Sequence, residues 1–324
     1  MKVRQSLAVA FSSLLAFSLV VALRPEMARA AGDTLYVGFG VSGGNTGCSD
    51  PDYGVATLGV NNAIYEALTA ANDGDTVYLC AGTYELTSTI QVQSSMANDI
   101  TIRGAGVKNT ILDGGGDTRI LRDRASDTDL KIMDLTFFNG FDSRDGGAIC
   151  HDDGDLLVQR VTFTDNVSDG YGGAIACYGE SLTILDSRFI NNSARWHGGA
   201  IDVHQRYGTV IQNSSFANNH AGEEGGALGC NGSDLTVTRS QFIGNTSDAV
   251  GGAIWYTRNN ERLVLQRNTF IRNVSAGVGG AIVVGDTPLM RGVGRQLLRT
   301  NSFSGNRAAP MRSATVGYRI GGGD

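Results

Sequence analysis

Beyond residue 75 the apolar residues of this chain fall into short alternating runs: Thr76–Leu79, Thr89–Val92, Ile100–Arg103, Thr110–Leu112, Arg119–Leu121 and Leu130–Met133. Turn clusters such as Gly104-Ala105-Gly106 and Asp113-Gly114-Gly115-Gly116-Asp117 separate them. Alternation of this kind predicts half-buried strands, and no helical period lies between them, which excludes βαβ units. Helical spacing occurs earlier, where Val60, Ala63, Ile64, Ala67, Leu68 and Ala71 share one face, closed by Asn72-Asp73-Gly74-Asp75. A strand is expected before it at Thr34–Val37.

The second half of the chain repeats. Gly-Gly-Ala followed by Ile or Leu begins at Gly146, Gly172, Gly198, Gly225, Gly251 and Gly279, at intervals of 26, 26, 27, 26 and 28 residues. Phe-x-x-Asn keeps step at Phe163/Asn166, Phe189/Asn192, Phe216/Asn219, Phe242/Asn245, Phe270/Asn273 and Phe303/Asn306. A fixed period in this range means a solenoid of stacked units. Short strands winding one way make it an all-β, single-stranded parallel β-helix, with right-handed winding preferred for parallel crossovers. The helix at Val60 caps its open N-terminal end.

With the first Gly of each repeat set as zero, position 3 is Ile149, Ile175, Ile201, Leu228, Ile254 and Ile282, and position 5 is His151, Cys177, Val203, Cys230, Tyr256 and Val284. Because strand side chains alternate, positions 3 and 5 are expected inward and positions 2, 4 and 6 outward, with the Ala at position 2 on a close-packed outer face. The repeating Phe predicts an inward stack, and the repeating Asn a hydrogen-bonded ladder at a turn.

The paired Gly-Gly-Ala-[Ile/Leu] and Phe-x-x-Asn motifs resemble the repeat of the polymorphic outer-membrane protein family over residues 137–306. They are also similar to the wider set of exported right-handed β-helix proteins with the pectate-lyase-like fold. Residues 74–84 and Ile102-Arg103-Gly104-Ala105-Gly106 resemble the opening coils of that set. The narrower resemblance implies a surface adhesin carried by a C-terminal membrane barrel. With Asp324 following soon after the last repeat, barrel-mediated export is not expected here.

The termini and charge narrow the setting. Lys2 and Arg4, the apolar stretch Leu7–Leu23 and Ala28-Arg29-Ala30 have the order of an export signal,. The expected organisation is a signal peptide over 1–30, an N-terminal strand, loop and capping helix over 31–75, and the β-helix over 76–324. An uncleaved anchor is the competing reading of residues 1–30, and no other run approaches the length of a membrane span. Without residues 1–30 the chain has 22 basic and 31 acidic residues, a net charge of −9. That argues against nucleic acid and anionic lipid as partners. The expected location is secreted, extracellular or in the cell envelope, as a monomer. Among five cysteines, Cys48 and Cys80 are the disulfide pair expected, clipping the N-terminal loop to the body. Cys177 and Cys230 lie two coils apart, about 9.6 Å by the strand spacing, which is too far to bridge.

In pectate-lyase-like enzymes the working groups stand outward on stacked strands. Here position 4 is Cys150, Ala176, Asp202, Gly229, Trp255 and Val283, and position 6 is Asp152, Tyr178, His204, Asn231, Thr257 and Gly285. The candidate ligand-binding stripe is therefore Asp152, Tyr178, Asp202, His204, Asn231 and Trp255. Asp152 and Asp202 would stand roughly 9–10 Å apart by strand spacing, a marginal distance for an inverting glycosidase pair. His151-Asp152-Asp153-Gly154-Asp155 has the oxygen ligands of a Ca²⁺ site, but a tight turn uses the same residues. No cofactor or metal is expected, and no catalytic residue is assigned. His197 and His220, in turns, read as surface residues.

Three functions remain open on these residues. The leading one is a non-catalytic exported β-helix presenting a long surface to polysaccharide or cell-surface glycoconjugate. The second is a polysaccharide lyase or glycoside hydrolase acting at the outward stripe. The third is a structural, envelope-associated repeat.

Overall fold

The structure is a computed structural model and describes residues 32–40, 47–126, 128–204, 207–257, 262–285 and 296–309. The export signal expected over 1–30 lies outside these residues. Short parallel strands stack coil upon coil into four sheets of 11, 9, 7 and 8 strands. One complete coil runs through Ile175–Cys177, Ser181–Leu185, Arg188–Ile190 and Ser193–Ala194. Its register with the next coil joins Ile175 to Ile201, Ile184 to Ile211, Phe189 to Phe216 and Ala194 to Ala221. Like residues thus stack on like, which is what a repeat with a constant period requires.

Each coil bends at left-handed residues. Gly146, Gly172, Gly198, Gly225, Gly251 and Gly279 hold φ between 61° and 68°. A Cβ on the second glycine of each pair would lie 2.2–2.5 Å from a backbone oxygen, as at Gly147, Gly173 and Gly226. The doublet is therefore steric necessity. Two further left-handed positions in the coil mostly carry Asn, Asp or Arg, for example Asp186 at 51° and Asn191 at 56°, with Gly244, Thr300 and Gly305 in later coils. The polar side chain after each such bend ties successive coils together. Asn192 Nδ2 donates to Asn219 Oδ1 at 2.9 Å and to the Phe163 carbonyl at 3.1 Å, while Asn192 N donates to Asn219 Oδ1 at 2.9 Å. A second column does the same through hydroxyls, with Ser187 N donating to Ser214 Oγ at 3.2 Å.

Inside, Phe137, Phe163, Phe189, Phe216, Phe242, Phe270 and Phe303 form a continuous stack with centroids 4.7–5.0 Å apart. Helix Val60–Ala70 buries Ala63, Ile64, Ala67 and Leu68 against the first coils. Cys48 and Cys80 form a disulfide with Cα atoms 5.6 Å apart, while Cys150, Cys177 and Cys230 are buried free thiols. No helix among the described residues is long and apolar enough to cross a membrane.

Two register expectations need correction. The Ala at position 2 is not on the outside: Ala148, Ala174, Ala200, Ala227 and Ala253 are fully buried members of the core. Strand alternation fails there because Ala148 N and Ile149 N both donate to the Ala174 carbonyl, and the same doubling recurs along the stack. Position 4 faces away from the core but is not open. Cys150, Ala176, Asp202 and Trp255 are at most 3% exposed, because the incoming turn folds over them. A Cβ on Gly229 would sit 3.3 Å from His197 Cβ and 3.2 Å from Gly198 N.

Candidate functional site

That covering turn builds the site. Its last residue before the glycine doublet is Asp145, Tyr171, His197 and Glu224 on successive coils. The column is held in line by backbone bonds: Gly146 N to Tyr171 O at 2.9 Å, Gly172 N to His197 O at 3.0 Å and Gly198 N to Glu224 O at 2.9 Å. Beneath it run the position 4 side chains, and beside these stand the position 6 side chains just past the strand ends. Tyr178 N donates to His151 O and His204 N to Cys177 O, which sets those two side chains on neighbouring coils.

Asp202 is the centre. It is 1% exposed, lying between Ala176 and Gly229, and a side chain at 229 would press on it. A Cβ there would come within 2.3 Å of Asp202 Oδ1. His204 Nε2 lies 2.8 Å from Asp202 Oδ2, close enough for an ion pair but off line for a well-formed hydrogen bond, and neither Asp202 oxygen has a well-aligned donor. The adjoining carboxylate, opposed by burial, holds the His204 imidazole above its ordinary pKa.

Rings surround this pair. The His204 ring lies 5.8 Å from Tyr178, nearly parallel, and 5.8 Å from Tyr171, edge-on. Tyr171 meets His197 at 5.0 Å, and His197 meets Trp255 at 4.7 Å. His197 Nε2 is 3.3 Å from Glu223 and 3.6 Å from Glu224. Burial first, then the charges of Asp145 and Asp202, push the Tyr178 phenol pKa up. Tyr171 is raised for the same reasons, by burial and then by Asp202, Asp145 and Glu223. Trp196, one residue before His197, is 39% exposed and sits under the Arg195 guanidinium at 5.4 Å.

Of the six residues expected in a ligand stripe, Tyr178, Asp202 and His204 meet directly, and Trp255 joins them through His197. Asp152 is drawn the other way, to Arg122 at 2.9 and 3.3 Å, and it accepts from Cys150 Sγ at 3.4 Å. Burial and the Asp152 charge push the Cys150 thiol up to about 12, so it is an inert thiol. Asn231 accepts from Thr257 Oγ1 at 2.7 Å. Asp145, Tyr171, His197, Glu223 and Glu224 were not singled out in the sequence, where His197 read as a plain surface residue. The repeat ruler that places positions 4 and 6 also places their column, but nothing in the sequence says that the turn closes over the strand.

The acidic run 151–155 makes turns and coil contacts. His151 is fully buried with Nδ1 2.9 Å from Asp123, Asp153 accepts from Gly154 N at 3.0 Å, and Asp155 accepts from Ser181 Oγ at 2.6 Å. Among the described residues no three His, Cys, Asp or Glu side chains converge as a metal site would need.

No curated protein matches the sequence significantly. The parallel solenoid supports a place in the pectate-lyase-like superfamily, and the match found is to the fold rather than to the narrower polymorphic outer-membrane repeat. Residues 120–307, more than half of the chain, match the family described as right handed beta helix region, and the chain belongs to that family.

Proposed function

We propose that this chain is an exported β-helix that binds glycan along the face formed by the turn column Tyr171–His197 and the strand-end residues Tyr178 and His204. The observation that carries the reading is the crowding of Tyr171, Tyr178, His197 and His204 around a buried carboxylate. Sugar sites combine such ring faces with a few fixed polar groups. The export signal at 1–30 supports a setting outside the cell, where polysaccharide and cell-surface glycoconjugates are met. A glycan array probed with the purified chain is expected to show binding that Tyr178→Ala weakens about tenfold, the loss of one good ring contact. Silence across neutral, acidic and amino glycans would overturn the proposal.

A second reading, polysaccharide cleavage, is favoured by one observation, the Asp202–His204 contact at 2.8 Å. A histidine whose pKa is raised by a neighbouring buried carboxylate is the type of group that serves as a general acid in glycosidic cleavage,. Its signature is new reducing ends or unsaturated products that His204→Gln abolishes. Binding without any product keeps the face as a binding surface.

A further inference from the structure

We propose that a cleft at the N-terminal end of the turn column is a second saccharide subsite, which takes an uncharged, hydroxyl-bearing sugar unit of the chain bound along the face; the inference rests on the glycan reading above and names its substrate class. The cleft follows from a change in coil length. The first coils pass from the nine-stranded to the eight-stranded sheet by short connections, from Glu85 to Ile90 and from Asp113 to Leu121. The next connection, from Phe138 to Ile149, is longer and adds Phe141–Asp142, the first strand of the seven-stranded sheet. Where short coils meet long ones an open cleft of about 340 Å³ remains, toward the small end of the range for ligand pockets. Phe141, Asp142 and Ser143 line it from the long coil, and Ser88, Thr89 and Asp117–Arg119 from the short ones.

Arg119 is the built part of this site. By the register that joins Ile149 to Leu121, Thr118-Arg119 stand where later coils have the glycine doublet. In those coils a glycine N–H satisfies the next carbonyl of the column, as Gly146 N does for Tyr171 O. Here the Arg119 side chain does so instead, with Nη2 donating to Asp145 O at 2.8 Å and Nε to Gly146 O at 3.1 Å. It also pairs with Asp142 and is only 6% exposed. Its other nitrogen, Nη1, forms no hydrogen bond among the described residues, and neither does Asp142 Oδ2, because Arg144 N donates to Oδ1 at 2.8 Å. Both atoms reach solvent.

A fixed donor beside a fixed acceptor matches neighbouring hydroxyls of a sugar ring, each of which gives and takes a hydrogen bond. The partly exposed Phe141 offers a ring at the same cleft,. Charge decides the class. Two carboxylates, Asp117 and Asp142, repel a uronate or a sulfated sugar, and the Arg119 guanidinium opposes an ammonium. Continuity joins the cleft to the face: Asp145, whose carbonyl holds Arg119, accepts Tyr171 N on Oδ1 at 3.0 Å. Tyr171 is therefore one coil away, about 4.8 Å along the stack, and one saccharide chain spans both.

The test is calorimetric titration of the full chain with neutral gluco-, manno- and xylo-oligosaccharides, a galacturonate oligosaccharide and a glucosamine oligosaccharide. The expected result is binding of a neutral oligomer, with the galacturonate at least about tenfold weaker and the glucosamine oligomer no tighter. Ser143→Trp, at an exposed position, fills the cleft and should weaken the neutral oligomer about tenfold, the loss of one charge-assisted hydrogen bond. Ser88→Trp fills it from the opposite wall and should act alike, so the test stands even if one variant does not fold, which a thermal melt checks. Binding weakened by Tyr178→Ala but unchanged in both folded tryptophan variants would overturn the cleft and leave the glycan face standing. Tighter binding of the galacturonate or glucosamine oligomer than of every neutral one would overturn the neutral class. Absence of binding to every sugar would overturn the cleft and the glycan reading together.

Discussion

Gly229→Ala is the sharpest probe of how the site is built. Gly229 lies in strand Leu228–Asn231 and is not at positive φ, so alanine is conformationally acceptable there. The added Cβ, however, would lie 2.3 Å from Asp202 Oδ1, against an ordinary contact of about 3.4 Å or more. The carboxylate must retreat by about 1 Å. The His204–Asp202 separation then opens from 2.8 Å to roughly 3.8 Å. With an effective dielectric of about 20 their attraction falls by about 1–2 kcal/mol. Overpacking a fitted site adds a stability loss of about 1–3 kcal/mol. The sign for His204 is downward, because the contact that raises its pKa is weakened. The assay is an NMR titration of the His204 ring protons, assigned with His204→Gln, alongside a thermal melt. Gly208→Ala is the control, since its Cβ would meet only Asp234, at 3.2 Å and beyond. A His204 titration unchanged in folded Gly229→Ala would refute the claim that this glycine positions the dyad.

Two further outcomes are expected. Asn219→Ala should destabilise the chain by about 3–6 kcal/mol in denaturant unfolding, because it strands the buried Asn192 N–H and Phe189 carbonyl that Asn219 satisfies,. Asn306→Ala, at the last rung, should cost less, and equal losses would deny that the ladder is cooperative. The stabilisation from His204 should be greatest at low pH: its folded pKa is raised, so the contribution is complete below the ordinary imidazole value of about 6.5 and is lost as pH rises through the folded value,. The melting difference between the wild type and His204→Gln should therefore shrink from pH 5.5 to 8.5, and a constant difference would count against the ion pair.

How much of this was legible beforehand differs by level. The solenoid, its period, the inward Phe stack and the Asn ladder followed from residues that recur, because a stacked coil must repeat whatever it buries. Position 2 did not follow. Strict alternation sends Ala148 outward, and only the doubled bond to the Ala174 carbonyl shows why it is in the core. Asp152 looked as good a ligand as Asp202 in the sequence, and their fates diverge because Arg122 stands beside one and a glycine beside the other.

The sequence by itself determined the coil, through short-range chemistry: glycine where a Cβ would strike a carbonyl, Asn where a left-handed bend leaves backbone groups to be satisfied, Phe and Ile where like stacks on like. Only the tertiary structure decided the site. The turn carrying Tyr171 and His197 folds back over the strand carrying Asp202, bringing residues from three coils around one buried carboxylate. Such proximity depends on the path of the chain between repeats and not on the identity of any residue within one.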